Sequence, residues 1–199
     1  MKKKYMIAGL ALLLILSLGA VIAVGPGNIG AVSDQAQNQA ARPISAAAFG
    51  GGNTITFWDS GTHGFLRTEP DSPGTLGKQI TAADITIPAG ATAKFITPLD
   101  VPSNFNGHPV AVKKIFLQWN GDTGCTITNV QVFSGFFFFD GAGGFDTNFV
   151  GTGSLQNLTV NLGGFYPVSN GLSMQWSIRN SAGSPKIASI YAYGAKIQY

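Results

Sequence analysis

Asp59-Ser60-Gly61 and Asp122-Thr123-Gly124 spell D-[ST]-G twice, the form in which aspartic proteases present their paired carboxylates. That chemistry needs two carboxyl groups close enough to share one proton. Only 63 residues separate the two aspartates and no glycine-rich apolar segment braces either loop, so the expectation is a pair of Asp-Gly turns. Ser60, His63 and Asp59 supply the side-chain types of a nucleophilic triad, but a triad is a geometry and no G-x-S-x-G elbow carries Ser60. His63 and His108 are the two histidines of the chain and show no H-x-H or H-E-x-x-H spacing, so both read as loop residues. The sole glutamate, Glu69, lies in Glu-Pro-Asp-Ser-Pro-Gly, a poor place for one of the two carboxylates that glycoside hydrolysis uses. The sequence therefore predicts a protein without catalysis.

Binding chemistry has better material. Trp58, Trp119, Tyr166, Tyr191 and Tyr193, set among Asn, Gln, Ser and Thr, are candidates for an exposed aromatic platform of the kind that suits a carbohydrate. Asp140, Asp146 and Asn148 enclose a Gly-Ala-Gly-Gly stretch whose oxygen donors resemble a calcium loop, though the bidentate glutamate and spacing of an EF-hand are missing. The expectation there is a long loop, with calcium the one candidate cofactor. Asn157-Leu158-Thr159 is a glycosylation sequon that requires Asn157 on a wet face. Cys125, the single cysteine, reads as a small buried hydrophobe. Phe136 to Phe139 form the most unusual apolar run: in a strand, Phe136 and Phe138 would share one face and Phe137 and Phe139 the other, which makes Phe136 and Phe138 candidates for a subunit contact.

The elements that must position these residues are strands. Leu172, Met174, Trp176 and Ile178 alternate with polar residues, as do Leu158, Val160 and Leu162, and Ile187 to Tyr199 closes the chain with one apolar face. Further runs fall at Thr54 to Trp58, Gly64 to Thr68, Asp84 to Ile87, Ala93 to Thr97, Val110 to Trp119 and Thr126 to Phe133. Turn clusters such as Asn106-Gly107, Asn120-Gly121-Asp122 and Asn170-Gly171 separate them. No apolar spacing of three and four persists after Val24. The predicted fold is all-β: a two-sheet antiparallel sandwich of the jelly-roll type over residues 53–199, preceded by an N-terminal apolar export helix.

That helix is read from Lys2, Lys3 and Lys4 followed by the uncharged run Met6 to Val24, which suits a signal peptide or a membrane anchor in segment 1–24. Segment 25–52 is rich in Gly, Ala, Gln and Asn and reads as a flexible linker. The chain's formal charge of +3 comes from the three lysines at the start: from Gly25 onward nine basic residues meet nine acidic ones. A neutral exported domain gives no global electrostatic case for nucleic acid, and none for a membrane surface beyond the N-terminal segment.

The stretch from Ala93 to Tyr199, with VAVKKIFLQWNGDTG, TITNVQVFSG, FDGAGG, VSNGLSMQWSI and the closing IASIYAYGAKIQY, resembles a family of small uncharacterised single-domain bacterial and archaeal proteins. The likeness covers roughly half of the chain, and ITNVQVFSG is its most specific part. It implies a jelly-roll sandwich and supplies no activity. The export segment, the linker and the four consecutive phenylalanines depart from the family's pattern. Two functions follow as expectations. One is an exported cell-surface or extracellular binding module with carbohydrate or a surface protein as partner. The other is a structural subunit that forms homo-oligomers through an edge strand, the Phe136 to Phe139 cluster or the N-terminal segment.

Overall fold

The structure is a computed structural model and describes residues 40–41, 52–67, 69–140 and 143–199. The expected export helix over 1–24 and most of the expected linker over 25–52 lie outside the described residues. The strands run in chain order as β1 (Ala40–Ala41), β2 (Thr54–Ser60), β3 (Phe65–Leu66), β4 (Thr75–Lys78), β5 (Ala83–Ile87), β6 (Thr92–Leu99), β7 (Asn104–Phe105) and β8 (His108–Pro109). They continue as β9 (Ala111–Gly121), β10 (Cys125–Ser134), β11 (Phe137–Phe139), β12 (Phe145–Val150), β13 (Gln156–Pro167), β14 (Leu172–Asn180) and β15 (Lys186–Gln198).

Consecutive long strands alternate between two sheets. One has the order β13-β9-β15-β5-β4, with β2 also paired to β15; the other has β1-β11-β10-β14-β6-β3, with β12 also paired to β10. The four-strand orders β5-β15-β9-β13 and β6-β14-β10-β12 are those of a jelly roll, as the alternation of apolar residues and turns predicts. Period-two patterning produces this directly. On β9, Ile115, Leu117 and Trp119 point inward and are fully buried, and on β14 Met174, Trp176 and Ile178 do the same from the facing sheet. Trp176 is also tied by its polar edge: its Nε1 donates to Thr97 Oγ1 at 2.9 Å, and that hydroxyl donates to the Met174 carbonyl at 3.2 Å.

Asn180 is fully buried at the end of β14, where its amide donates to the carbonyls of Ile87, Pro88 and Ser184 at 3.0, 3.1 and 2.9 Å. One side chain thus satisfies the backbone of two loops. Asn106 and Gly107, with φ of 52° and 82°, form the two-residue turn joining β7 to β8, the conformation Asn-Gly favours. Cys125 is fully buried, and burial with the Asp122 carboxylate nearby pushes its thiol up to about 11, so little thiolate exists near neutrality.

Three local expectations change. Phe136 is not in a strand: Gly135, at φ 58°, and Phe136 make the tight turn between β10 and β11, so alternation does not carry through and Phe136 does not share a face with Phe138. The glycine-rich loop that follows Asp140 is shorter than expected, because Phe145, Thr147 and Phe149 alternate with Asp146, Asn148 and Val150 to make β12. Within segment 25–52, Ala40–Ala41 pairs in parallel with Phe138–Phe139 and satisfies the outer edge of β11.

Candidate functional site

The expected platform separates into core and surface. Trp119 is fully buried, with its ring over Gly121, where an added Cβ would stand 2.3 Å from it. Tyr166 is buried against Phe139, with ring centroids 4.8 Å apart, and burial and the Asp140 carboxylate raise its hydroxyl. Tyr193 is fully buried; its hydroxyl lies 2.7 Å from the Pro98 carbonyl and 3.1 Å from Asp59 Oδ2, and burial holds it protonated far above the ordinary tyrosine range. These three side chains share the inward parity of their strands, and so they pack the sandwich and offer no ring to a ligand. Tyr191 falls at a bulge in β15.

Trp58 is different. In β2, Ile55 and Phe57 pack against the core, and the alternate residues Thr54, Thr56 and Trp58 face solvent. Trp58 is 50% exposed. The registers place it in a row across four strands: Thr159 of β13, Phe116 of β9, Gly194 of β15 and Trp58 of β2. Gly194 is what lets the rings meet. A Cβ there would lie 3.0 Å from Cδ2 and Cε3 of Trp58, so the indole occupies the space a side chain would take, and it stacks on Phe116 with centroids 5.4 Å apart and planes 23° apart.

Polar rows flank the aromatic one. On one side Asn157, Gln118, Ala192 and Ser60 are in register; on the other, Asn161, Lys114, Lys196 and Thr56. Asn157 is exposed, so the sequon residue stands at the edge of this surface. Asp59, next to Trp58 but facing inward, fixes the end of β2: its carboxylate accepts from the Ser60 amide at 2.7 Å, meets His63 Nδ1 at 2.6 Å and receives the Tyr193 hydroxyl. The result is a rigid aromatic surface bordered by amides, hydroxyls and ammonium groups. Stacked rings supply apolar contact to the C–H face of a sugar ring, and amides offer paired donors and acceptors to adjacent hydroxyls.

The outer face of the second sheet is built differently. Arg67 Nε donates to Glu69 Oε1 at 2.5 Å, Arg67 Nη1 to Gln175 Oε1 at 2.9 Å, and Gln175 Nε2 to Gln131 Oε1 at 2.5 Å. There Arg67, Gln175 and Gln131 are engaged in one connected network of side chains.

The catalytic letters do not assemble. Ser60 Oγ shares a hydrogen bond with Thr62 Oγ1 at 2.9 Å, whereas His63 turns to Asp59. Asp122 is a turn residue whose Oδ2 accepts from the Ile187 amide at 2.9 Å, but Asp59 is a strand residue and no contact joins the two. Asp146 and Asn148 are exposed on β12, and the Asn129 amide donates to the Gly143 carbonyl at 2.8 Å and to Asp146 Oδ1 at 3.3 Å. Among the described residues no group of three or more His, Cys, Asp or Glu side chains could hold a metal ion.

Sequence reasoning missed Phe116, Gln118 and Gly194. The signal for the first two was present: in Ile115-Phe116-Leu117-Gln118-Trp119 the buried parity belongs to Ile115, Leu117 and Trp119, which sends Phe116 and Gln118 outward. No local pattern marks Gly194.

No protein-family model and no curated protein matches this chain. The resemblance to small uncharacterised bacterial and archaeal proteins therefore stands at the level of a jelly-roll domain. Among solved structures, the chain is similar to a family 61 carbohydrate-binding module in complex with β-1,4-galactotriose, at a TM-score of 0.38 and 13% identity over 77% of this chain and 97% of that one. It is also similar to a family 29 carbohydrate-binding module from Piromyces equi, at a TM-score of 0.43 and 10% identity over 71% and 90% of the two chains. A family 4 carbohydrate-binding module gives a TM-score of 0.39 and 12% identity over 70% and 92%.

Proposed function

We propose that this is an exported, non-catalytic module that binds polysaccharide on the outer face of the sheet containing β2, β15, β9 and β13. The observation that carries the reading is the Trp58–Phe116 stack over Gly194, held half-exposed between two polar rows. A monomeric fold gains little from leaving an indole in water, whereas a sugar ring laid on it buries apolar area and meets amides already in place. The lysine head and apolar run of Met1 to Val24 support a place outside the cytoplasm.

The full chain, titrated by calorimetry against a panel of soluble polysaccharides, is expected to bind at least one, and Trp58→Ala to weaken that binding by about 2 kcal/mol, roughly thirtyfold. The melting temperature should hardly move, because Trp58 lies outside the core. Binding unaffected by Trp58→Ala, or no binding to any glycan, rejects the platform.

A second reading, assembly of copies, is favoured by one place in the fold. Phe136 and Phe137 are 67% and 43% exposed beside the β11 edge, and the partner strand of that edge, β1, comes from the N-terminal segment. On this reading the wild-type chain runs as an oligomer in size-exclusion chromatography and Phe136→Ser with Phe137→Ser shifts it to monomer. A monomeric wild type at high concentration removes the reading.

A further inference from the structure

We infer that the platform is selective for anionic glycans, those carrying uronate carboxylates or sulfate esters, and that Lys114 and Lys196 are the residues that select them. The inference rests on the reading of this face as a glycan platform. Lys114 and Lys196 stand directly opposite each other on β9 and β15, in the row next to Phe116 and Gly194. Two residues along a strand separate the rows by about 7 Å, so ammonium groups on four-carbon stems reach the rim of a ring stacked on Trp58.

Like charges directly opposed across a ladder are unfavourable, and among the described residues neither lysine has an ion-pair partner. Their row neighbours are Asn161 and Thr56, the next row offers Thr159 and Trp58, and the one beyond it Asn157, Gln118 and Ser60. The nearest acid in sequence to Trp58 is Asp59, which faces inward and is engaged by Tyr193 and His63. A third lysine, Lys113, lies at the bulge beside them with its Nζ 5.0 Å from the Phe165 ring centroid.

The concentration is not a by-product of a basic domain. Residues 53–199 contain eight basic and eight acidic residues, and three of the eight basic ones are gathered here. Elsewhere the cations are matched where they cluster: Arg67 pairs with Glu69, and Lys94 with Asp71 at 2.6 Å. A row of unmatched ammonium groups beside a neutral stacking surface is complementary to a ligand that brings apolar ring faces and negative charge together.

The test compares the full-length chain with Lys114→Gln/Lys196→Gln and with Trp58→Ala, using polygalacturonate, a sulfated galactan and neutral β-1,4-galactan as probes. The expected result is tighter binding of polygalacturonate than of neutral galactan, weakening as salt rises from about 0.05 M to about 0.5 M. Lys114→Gln/Lys196→Gln should lower the polygalacturonate affinity about tenfold or more and flatten the salt dependence. Preference for the sulfated galactan over polygalacturonate, with the same lysine dependence, supports the inference and names sulfate as the source of charge. If Trp58→Ala weakens binding but the lysine variant matches wild type, the charge selectivity is overturned and the platform stands. If Trp58→Ala also leaves binding intact, the platform itself is rejected.

Discussion

Trp176→Ala lowers the unfolding free energy by about 3–5 kcal/mol, the range for deleting a fully buried large aromatic side chain. The ring is completely enclosed, and its register partner on the neighbouring strand of the same sheet, Phe95 of β6, is itself fully buried, so the gap cannot close without moving a strand. The Nε1 bond to Thr97 is lost as well, although Thr97 keeps the Met174 carbonyl. For a domain of this size, each kcal/mol moves the melting temperature by roughly 2–4 °C, so thermal unfolding should shift down by about 6–20 °C. That is a large share of the roughly 5–15 kcal/mol that holds such a domain together. Trp176→Phe should cost clearly less, since most of the volume is kept. A shift of only a few degrees for the alanine variant would place Trp176 outside the core.

Gly194→Ala should unseat the platform from beneath. The added Cβ meets the Phe57 carbonyl oxygen at 2.3 Å, and backbone cannot swing aside as a side chain can, so β2 must part from β15. Overpacking of this kind costs about 1–3 kcal/mol. Because Trp58 rides on the displaced strand, polysaccharide affinity should fall at least as far as in Trp58→Ala. Gly77→Ala is the matched control: its Cβ would find only the Asp84 carbonyl, at 3.9 Å, an ordinary contact. There the loss of glycine's freedom in the unfolded chain makes the same substitution neutral or stabilising by a few tenths of a kcal/mol. Equal effects at the two glycines, measured by denaturant unfolding and by titration, would refute the close approach at Gly194.

Parity along a strand is a local property, and for this reason much of the site was legible. Thr54 to Trp58 alternates Thr, Ile, Thr, Phe, Trp, which already sends Trp58 away from the side of Ile55 and Phe57. The same rule applied to β9 and β15 assigns Trp119 and Tyr193 to the core, so their expected place on a platform failed through residue type being weighed above parity. Phe136 to Phe139 went astray for a different reason. A glycine at positive φ turns the chain at Gly135, and period-two reasoning has no force across a turn. The strand β12 is hidden in the sequence because Asp146 and Asn148, which alternate with Phe145 and Phe149, are also the oxygen-bearing residue types of a loop.

The sequence alone determined the all-β sandwich, the neutrality of the chain after its lysine head and the outward direction of Trp58, since each follows from composition or from neighbours a few residues apart. Only the tertiary structure decided that Trp58, Phe116 and Gly194 share one row and that Lys114 faces Lys196. These residues are 58 to 136 positions apart in the sequence in the first case and 82 apart in the second, and their meeting depends on the jelly-roll strand order and on the register of β15 with both β9 and β2. Register is fixed by which apolar side chains of distant strands interlock in the core, a condition on the whole domain that no window of the sequence contains.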